Sequence, residues 1–299
     1  MPILPIGVNT NNIIDDLRGL SWETADILKS YSSMIKDKDK KNNIIKNKKN
    51  EDPVTLADLE VNELILRRIR DKYPNIKWDF LSEENAKLEE NYQNRSDWKW
   101  VLDPLDGTKD FLQETQNYAM HFALNYKNRP YLGVVLIPER DELWIADGKR
   151  AWCEGSDGNI KRFDLTRKCL IEDMTLVTSK NHSNQILQRL IEVSPFKKII
   201  VMGSIGCKIA SILRGESDIY ISFSLPNKSS PKDWDFAAPE VVLNAAGGCI
   251  TNLENVKLEY NKFKFEHKGF VIASNNKEAH EKICLQLKEI IKINNIDYL

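Results

Sequence analysis

At 299 residues with 41% hydrophobic content, the chain can bury a sizeable core, arranged as one large domain or as two lobes. Its 43 basic and 44 acidic residues leave a formal charge of -1, so no overall field draws it to nucleic acid or to a membrane surface, and any anionic ligand must be gripped locally. The five cysteines, Cys153, Cys169, Cys207, Cys249 and Cys284, are scattered and form no CxxC pair, which argues against a disulfide framework or a zinc site and for a reducing cytoplasm.

In chain order, MPILPIGVNTNN carries no basic and then apolar leader, and no later apolar run approaches the ~20 residues of a membrane span. Ile13, Leu17, Leu20, Ile27, Leu28, Tyr31, Met34 and Ile35 recur mostly three or four apart, which predicts a helix from Asn12 to Ile35 with Gly19 as its weak point. The run KDKDKKNNIIKNKKNED, Lys36 to Asp52, holds seven lysines and little to bury, and is expected to be solvated and mobile. A second helix is predicted from Leu59 to Tyr73, followed by a WDFL strand. Between Trp98 and Asp147, the runs WKWVLD, YAMHFALNY, YLGVVLI and ELWIAD predict consecutive strands of one largely antiparallel sheet. Beyond it, MTLVTS, KIIVMG, SDIYISF and GFVIAS alternate with helical QILQRLIEV, CKIASILRG and AAPEVVLNAAGG, which predicts a second sheet with helices against it. The polar FDLTRKCLIED stretch suggests a lobe boundary near residue 170, dividing 1–170 from 171–299.

Four short stretches carry chemistry. In WVLDPLDGTKDF the strand is expected to end at Asp103, with Pro104 stopping it and Asp106-Gly107 turning the chain, so that Asp103 and Asp106 converge at its mouth. Two ionised carboxylates so close repel, and a hard divalent cation removes the conflict; Mg²⁺, which takes oxygen ligands and needs few carboxylates, suits the set. The same step is equally a common turn. In LSEENAKLEE, Glu83 and Glu84 follow a strand, although a Glu pair is ordinarily solvated. In DPVTLAD, Thr55 and Asp58 fit a capping box, while Asp58 could also join Thr108 in taking a proton from an attacking water. In KDWDFAAPEVVLNAAGG, Asp235 reads as a helix N-cap that could offer its other oxygen to a metal, with Gly247-Gly248 ending the helix.

In this order and at these separations, the Glu-Glu pair, DPLDGT and WDFAA resemble the metal-dependent, lithium-sensitive phosphatase superfamily that includes inositol monophosphatase and fructose-1,6-bisphosphatase. The match runs from Asp52 to Gly248, and more weakly through LEYNKFKFEHKGFVIAS. Together with SKNHSN and GSIGCK, it looks most like the 3'(2'),5'-bisphosphate nucleotidases. The resemblance implies a layered αβαβα sandwich of the α+β class, with the active site between two lobes. It implies Mg²⁺-dependent hydrolysis of 3'-phosphoadenosine 5'-phosphate to AMP and phosphate. Position by position, it assigns Glu83, Asp103, the Leu105 carbonyl, Asp106 and Asp235 to Mg²⁺, and Asp58 with Thr108 to water activation. The Gly107 and Thr108 amides would cradle phosphate, and His182 and Lys208 would contact the nucleotide and its second phosphate. Many relatives place an arginine near Ser222, and its absence puts the grip on the nucleotide in question. In relatives the region of Lys36 to Lys49 is a flap over the site. The implied partner is a small phosphorylated nucleotide rather than nucleic acid or membrane, for a cytoplasmic monomer or homodimer. An inositol or sugar phosphatase, or an inactive nucleotide or metal sensor, are the alternatives.

Overall fold

Asn9 opens helix α1 (Thr10–Ile35) by accepting the Asn12 amide at 2.9 Å, and the helix buries Ile13, Leu17, Leu20, Leu28 and Ile35. It runs unbroken through Gly19, because the buried stripe on either side outweighs one glycine. The computed structural model describes residues 2–37, 44–47, 53–86, 96–163, 165, 167–180, 184–226 and 228–298. Most of the lysine-rich run lies outside the described residues; of what is described, β1 (Ile45–Asn47) pairs antiparallel with β2 (Pro53–Thr55), and Ile44 is buried rather than solvated. Helix α2 (Leu56–Lys72) begins three residues before its expected start, at the capping box of Thr55 and Asp58.

The first sheet has seven strands in sequential order: β3 (Asp79–Ser82), β4 (Trp98–Asp106), β5 (Ala119–Tyr126), β6 (Arg129–Ile137), β7 (Glu142–Ala146), β8 (Ala151–Glu154) and β9 (Ile160–Lys161). Every neighbouring pair is antiparallel except β3 with β4. Two short helices leave its edge, α3 (Glu83–Ala86) after β3 and α4 (Thr108–Leu112) after β4.

The second sheet is mixed, in the order β11, β10, β12, β14, β13. In chain order its region reads β10 (Thr175–Ser179), α5 (Gln185–Val193), β11 (Lys198–Met202), α6 (Ile205–Leu213), β12 (Ile219–Ser224), α7 (Asp233–Ala245), β13 (Cys249–Asn252), β14 (Gly269–Ser274) and α8 (His280–Ile293). Helix α7 ends as expected, with Gly247 at φ +101° and the Gly248 amide returning to the Leu243 carbonyl at 3.0 Å.

Three apolar clusters fix the layers. Leu17, Leu28, Val61 and Ile65 of α1 and α2 pack on Trp100, Phe122, Val134 and Leu136 of the first sheet. Its other face, through Val101, Ala123 and Val135, meets Ile209, Phe236 and Val242 of α6 and α7, which also cover Val177, Tyr220 and Val271 of the second sheet. Leu187 and Leu190 of α5 and Ile283 and Leu287 of α8 close the far side. The result is the αβαβα sandwich that the sequence led us to expect, with α6 and α7 held between the sheets.

Candidate active site

Strand β4 is buried along its whole length. Its period of two sends Trp100 and Leu102 beneath α1 and α2, and Val101 toward α6 and α7. By the same alternation Asp103 shares the face of Val101. Asp106, three positions later, would point to the opposite face of a regular strand. The ladder shows why it does not: Asp103 stands opposite His121 and Asp106 opposite Ala119, so β4 carries one residue more than β5 between these pairs. That bulge turns both carboxylates the same way. It also explains why Pro104 fails to end the strand, since its missing N–H falls where the ladder is already interrupted.

Asp235 reaches the same place from α7. The position before that helix belongs to Lys232, so Asp235 is the third helical residue rather than the N-cap that the sequence suggested. Its Oδ2 accepts the Lys232 amide at 2.5 Å, which closes the first turn from within. Asp58 does the same on α2, where its Oδ2 accepts the Thr55 amide at 2.8 Å and the Thr55 hydroxyl at 2.6 Å. Both helices thus spend one oxygen of a buried carboxylate on their own first turn.

Asp103, Asp106 and Asp235 each place a carboxylate oxygen within 4.8 Å of the others. Glu83, first residue of α3, lines the same cavity. Burial, then Glu83, Asp106, Asp235 and Asp58, hold the Asp103 carboxyl well above the usual range. Burial and Asp106 do the same to Asp235, against the Lys232 amide. Asp58 is pushed up to about 7 by burial and Glu83, opposed by its bonds from Thr55. Four crowded acids in a dry wall are a donor set made for a hard cation: oxygen-only, and electrostatically frustrated without one. The fit to a divalent metal is therefore good.

Sequence reasoning missed what holds Asp106. Its Oδ2 accepts the Ser204 hydroxyl at 2.6 Å and the amides of Ile205 and Gly206 at 2.5 and 3.1 Å, at the positive end of α6. His121 Nε2 lies 3.2 Å from the same oxygen. Ser204 adopts φ +50°, a conformation rare outside glycine, to face both ways, and it caps α6 by accepting the Cys207 amide at 3.1 Å. Only glycine fits at 206, because a Cβ there would stand 2.3 Å from His121 Nε2. The sequence does contain a serine before an apolar helix, but nothing local says that the cap also serves a carboxylate 98 residues away.

The turn itself is as expected. Gly107 has φ +91°, and a Cβ would meet the Asn117 carbonyl at 2.8 Å. The Thr108 hydroxyl lies 3.1 Å from the Leu105 carbonyl and 3.4 Å from Asp58 Oδ1, one proton between two acceptors. Lys208 is buried on α6, its Nζ 5.6 Å from the Tyr220 ring centre and 3.4 Å from the Met202 carbonyl, and burial lowers its pKa against the pull of Asp106. Ser222 stands buried in the cavity wall. His182 lies outside the described residues.

The cavity around these groups measures about 540 Å³. Carboxylates, lysines, serines and the aromatic residues Tyr220, Phe223 and Trp234 line it. A closed sandwich with acidic groups converging between its sheets defines a metal-dependent phosphatase class, and comparison with known proteins agrees. The chain belongs to the inositol monophosphatase family, matched over residues 11–292. The 3'(2'),5'-bisphosphate nucleotidase CysQ of Buchnera aphidicola is 30% identical over 223 residues, covering 73% of this chain and 79% of the relative. The nucleotidase CysQ of Aggregatibacter actinomycetemcomitans is 24% identical over 286 residues, 95% and 98% of the two chains. Among solved structures, the Thermotoga maritima IMPase shares the fold at a TM-score of 0.72 and 22% identity, over 95% of this chain and 99% of its own. Among the described residues no helix is long and apolar enough to cross a membrane.

Proposed function

We propose that the protein hydrolyses 3'-phosphoadenosine 5'-phosphate to AMP and phosphate with Mg²⁺ as cofactor, in the cytoplasm. The observation that carries this reading is the meeting of Asp103, Asp106 and Asp235 within 4.8 Å, in a cavity also lined by lysines and by Tyr220, Phe223 and Trp234. Aromatic and cationic side chains in the lining suit a nucleobase and a second phosphate, whereas an inositol ring would leave the aromatic ones without a partner.

Glu83, Asp103, the Leu105 carbonyl, Asp106 and Asp235 would hold the metal. Bound Mg²⁺ supplies charge neutralisation for a phosphoryl group and makes a nearby water more acidic. The chain's own residues do the rest. With the Leu105 oxygen engaged, the Thr108 hydroxyl donates to Asp58 Oδ1 and turns a lone pair to the attacking water. Asp58, with its raised pKa, is poised to accept the proton near neutral pH. The Gly107 and Thr108 amides open α4 toward the phosphate, and α6 keeps Asp106 in place through Ser204, Ile205 and Gly206. Lys208, beside Tyr220, and His182 would contact the nucleotide. Rate enhancement then rests chiefly on positioning and on charge complementarity.

Phosphate release from bisphosphonucleotide, inositol monophosphate and fructose bisphosphate, measured side by side with Mg²⁺, tests this. We expect the bisphosphonucleotide to lead by at least tenfold in kcat/KM. An enzyme that favours inositol monophosphate by that margin overturns the substrate assignment.

A further inference from the structure

Resting on the metal-site reading above, we propose that Asn261 and His267, on the connection from β13 to β14, are positioning residues that set the separation of Asp103 from Asp235 and with it the fit of the site to its cation. Asp103 comes from β4 and Asp235 from α7, so nothing local to either element can set that separation. Asn261 spans the two. Its side-chain oxygen accepts Lys99 Nζ at 2.9 Å, and its backbone amide donates to Asp233 Oδ2 at 2.7 Å. Lys99 lies on β4 and shares the face of Val101 and Asp103 by the period of two, while Asp233 is the first residue of α7. Asn261 makes both bonds from φ +67°, a left-handed conformation that Asn adopts more readily than most residues.

His267 completes the hold on Asp233. Its Nε2 donates to Asp233 Oδ1 at 3.0 Å, its amide donates to the Pro231 carbonyl at 2.9 Å, and its ring packs edge-on against Phe236 and Tyr260 at centroid separations of 5.3 and 5.2 Å. Both oxygens of Asp233 are thus engaged by this connection rather than by its own helix, and Asp233 and His267 are both buried. A buried carboxylate is costly unless its partners satisfy it, so these partners fix where Asp233 can sit. Helix residues two apart point to roughly opposite sides, so Asp233 anchors the first turn of α7 on one side while Asp235 lines the cavity on the other. Further along α7, Glu240 accepts the Tyr260 hydroxyl at 2.6 Å and a bond from Arg129 of β6, whose guanidinium also donates to the Leu258 carbonyl. The connection therefore ties α7 to the first sheet at Lys99 and again at Arg129. Mg²⁺ demands near-octahedral bonds of about 2.1 Å, whereas Ca²⁺ accepts about 2.3 to 2.6 Å and looser geometry, so a slackened frame weakens Mg²⁺ more than Ca²⁺.

Calorimetric titration of the metal-free protein with Mg²⁺, and separately with Ca²⁺, reads both dissociation constants for wild type, Asn261→Gly, His267→Ala and His267→Gln, with urea unfolding of each alongside. A general loss of folded protein lowers the amount of ion bound and leaves the ratio of the two constants unmoved. Asn261→Gly keeps the left-handed backbone and removes the Lys99 bond. It and His267→Ala are expected to weaken Mg²⁺ about tenfold or more, and Ca²⁺ clearly less. His267→Gln keeps a donor for Asp233 without the ring contacts, and is expected to lose stability while holding Mg²⁺ near wild-type affinity. If His267→Ala does not fold, Asn261→Gly, at a half-buried position, decides alone. Constants in Asn261→Gly that are unchanged, or equally weakened for both ions, overturn this proposal alone, as does a His267→Gln that binds Mg²⁺ as weakly as His267→Ala. A wild type whose Mg²⁺ binding is absent, or is unaffected by Asp235→Asn, overturns the metal-site reading and this proposal with it.

Discussion

Replacing Asp103 by Asn takes one ionisable carboxyl from a cluster whose oxygens lie within 4.8 Å. At that separation and an effective dielectric of about 20, each ionised pair costs about 3 kcal/mol. Asp103 is held well above the usual carboxylate range, so in the folded metal-free protein it stays protonated where the unfolded chain has already ionised. The folded state then binds the extra proton, and the group's contribution to stability is complete below the unfolded pKa of about 3.9 and is lost as pH climbs through the raised folded value. Metal-free wild type should therefore lose stability between an acidic and an alkaline pH, and Asp103→Asn should lose about 3 kcal/mol less, or roughly 6 to 12 °C in melting temperature. Mg²⁺ should reverse the order, stabilising the wild type most at high pH and the variant hardly at all. Thermal melts with chelator or with millimolar Mg²⁺ at the two pH values measure this. If Asp103→Asn melts lower than wild type at both pH values without metal, and Mg²⁺ raises both equally, the cluster is not a frustrated cation site.

Asp58→Asn separates capping from chemistry: its side-chain oxygen still accepts the Thr55 amide, so urea unfolding should shift by no more than about 1 kcal/mol, while kcat falls on the order of 10²-fold or more. Equal losses in both would assign Asp58 to the helix alone. Ser204→Ala removes the cap of α6 and a bond to Asp106, and should cost about 1 to 2 kcal/mol and weaken Mg²⁺ affinity, read by calorimetric titration. Unchanged affinity would show that Asp106 needs no such support. His280 begins α8 between the Thr251 and Ser274 hydroxyls at 2.8 and 2.7 Å, and burial lowers its pKa to about 4. The unfolded chain takes up this proton near 6.5, so wild type should lose about 3 kcal/mol as pH falls from about 6.5 to about 4, a slope that His280→Asn flattens in urea titrations. The same slope in the variant would assign the loss to other groups.

Elements carried by local pattern were legible in the sequence. The apolar stripe of α1, the Thr55 and Asp58 capping box, the four strands from Trp98 to Asp147 and the Gly247 stop all depend on residues a few positions apart, and all form. The arrangement of layers and the family followed from the resemblance of motif order. What local pattern could not supply depends on pairing across the fold. The bulge that turns Asp103 and Asp106 together exists only in the register of β4 against β5. The hold of Ser204, Ile205 and Gly206 on Asp106 joins one sheet to a helix that follows a strand of the other. The Asp235 carboxylate was read as a cap when it is a third helical residue, because both places favour Asp and only the backbone separates them. Ile44, inside a run read as solvated, is buried in the core.

Diffraction at a wavelength where Mn²⁺ scatters anomalously, from crystals grown with Mn²⁺ in place of Mg²⁺, bears most directly on the central claim. An anomalous peak bonded to Asp103, Asp106 and Asp235, with Glu83 and the Leu105 carbonyl around it, is the expected result. Saturating Mn²⁺ with no peak among these carboxylates, or with their oxygens turned apart, would contradict it.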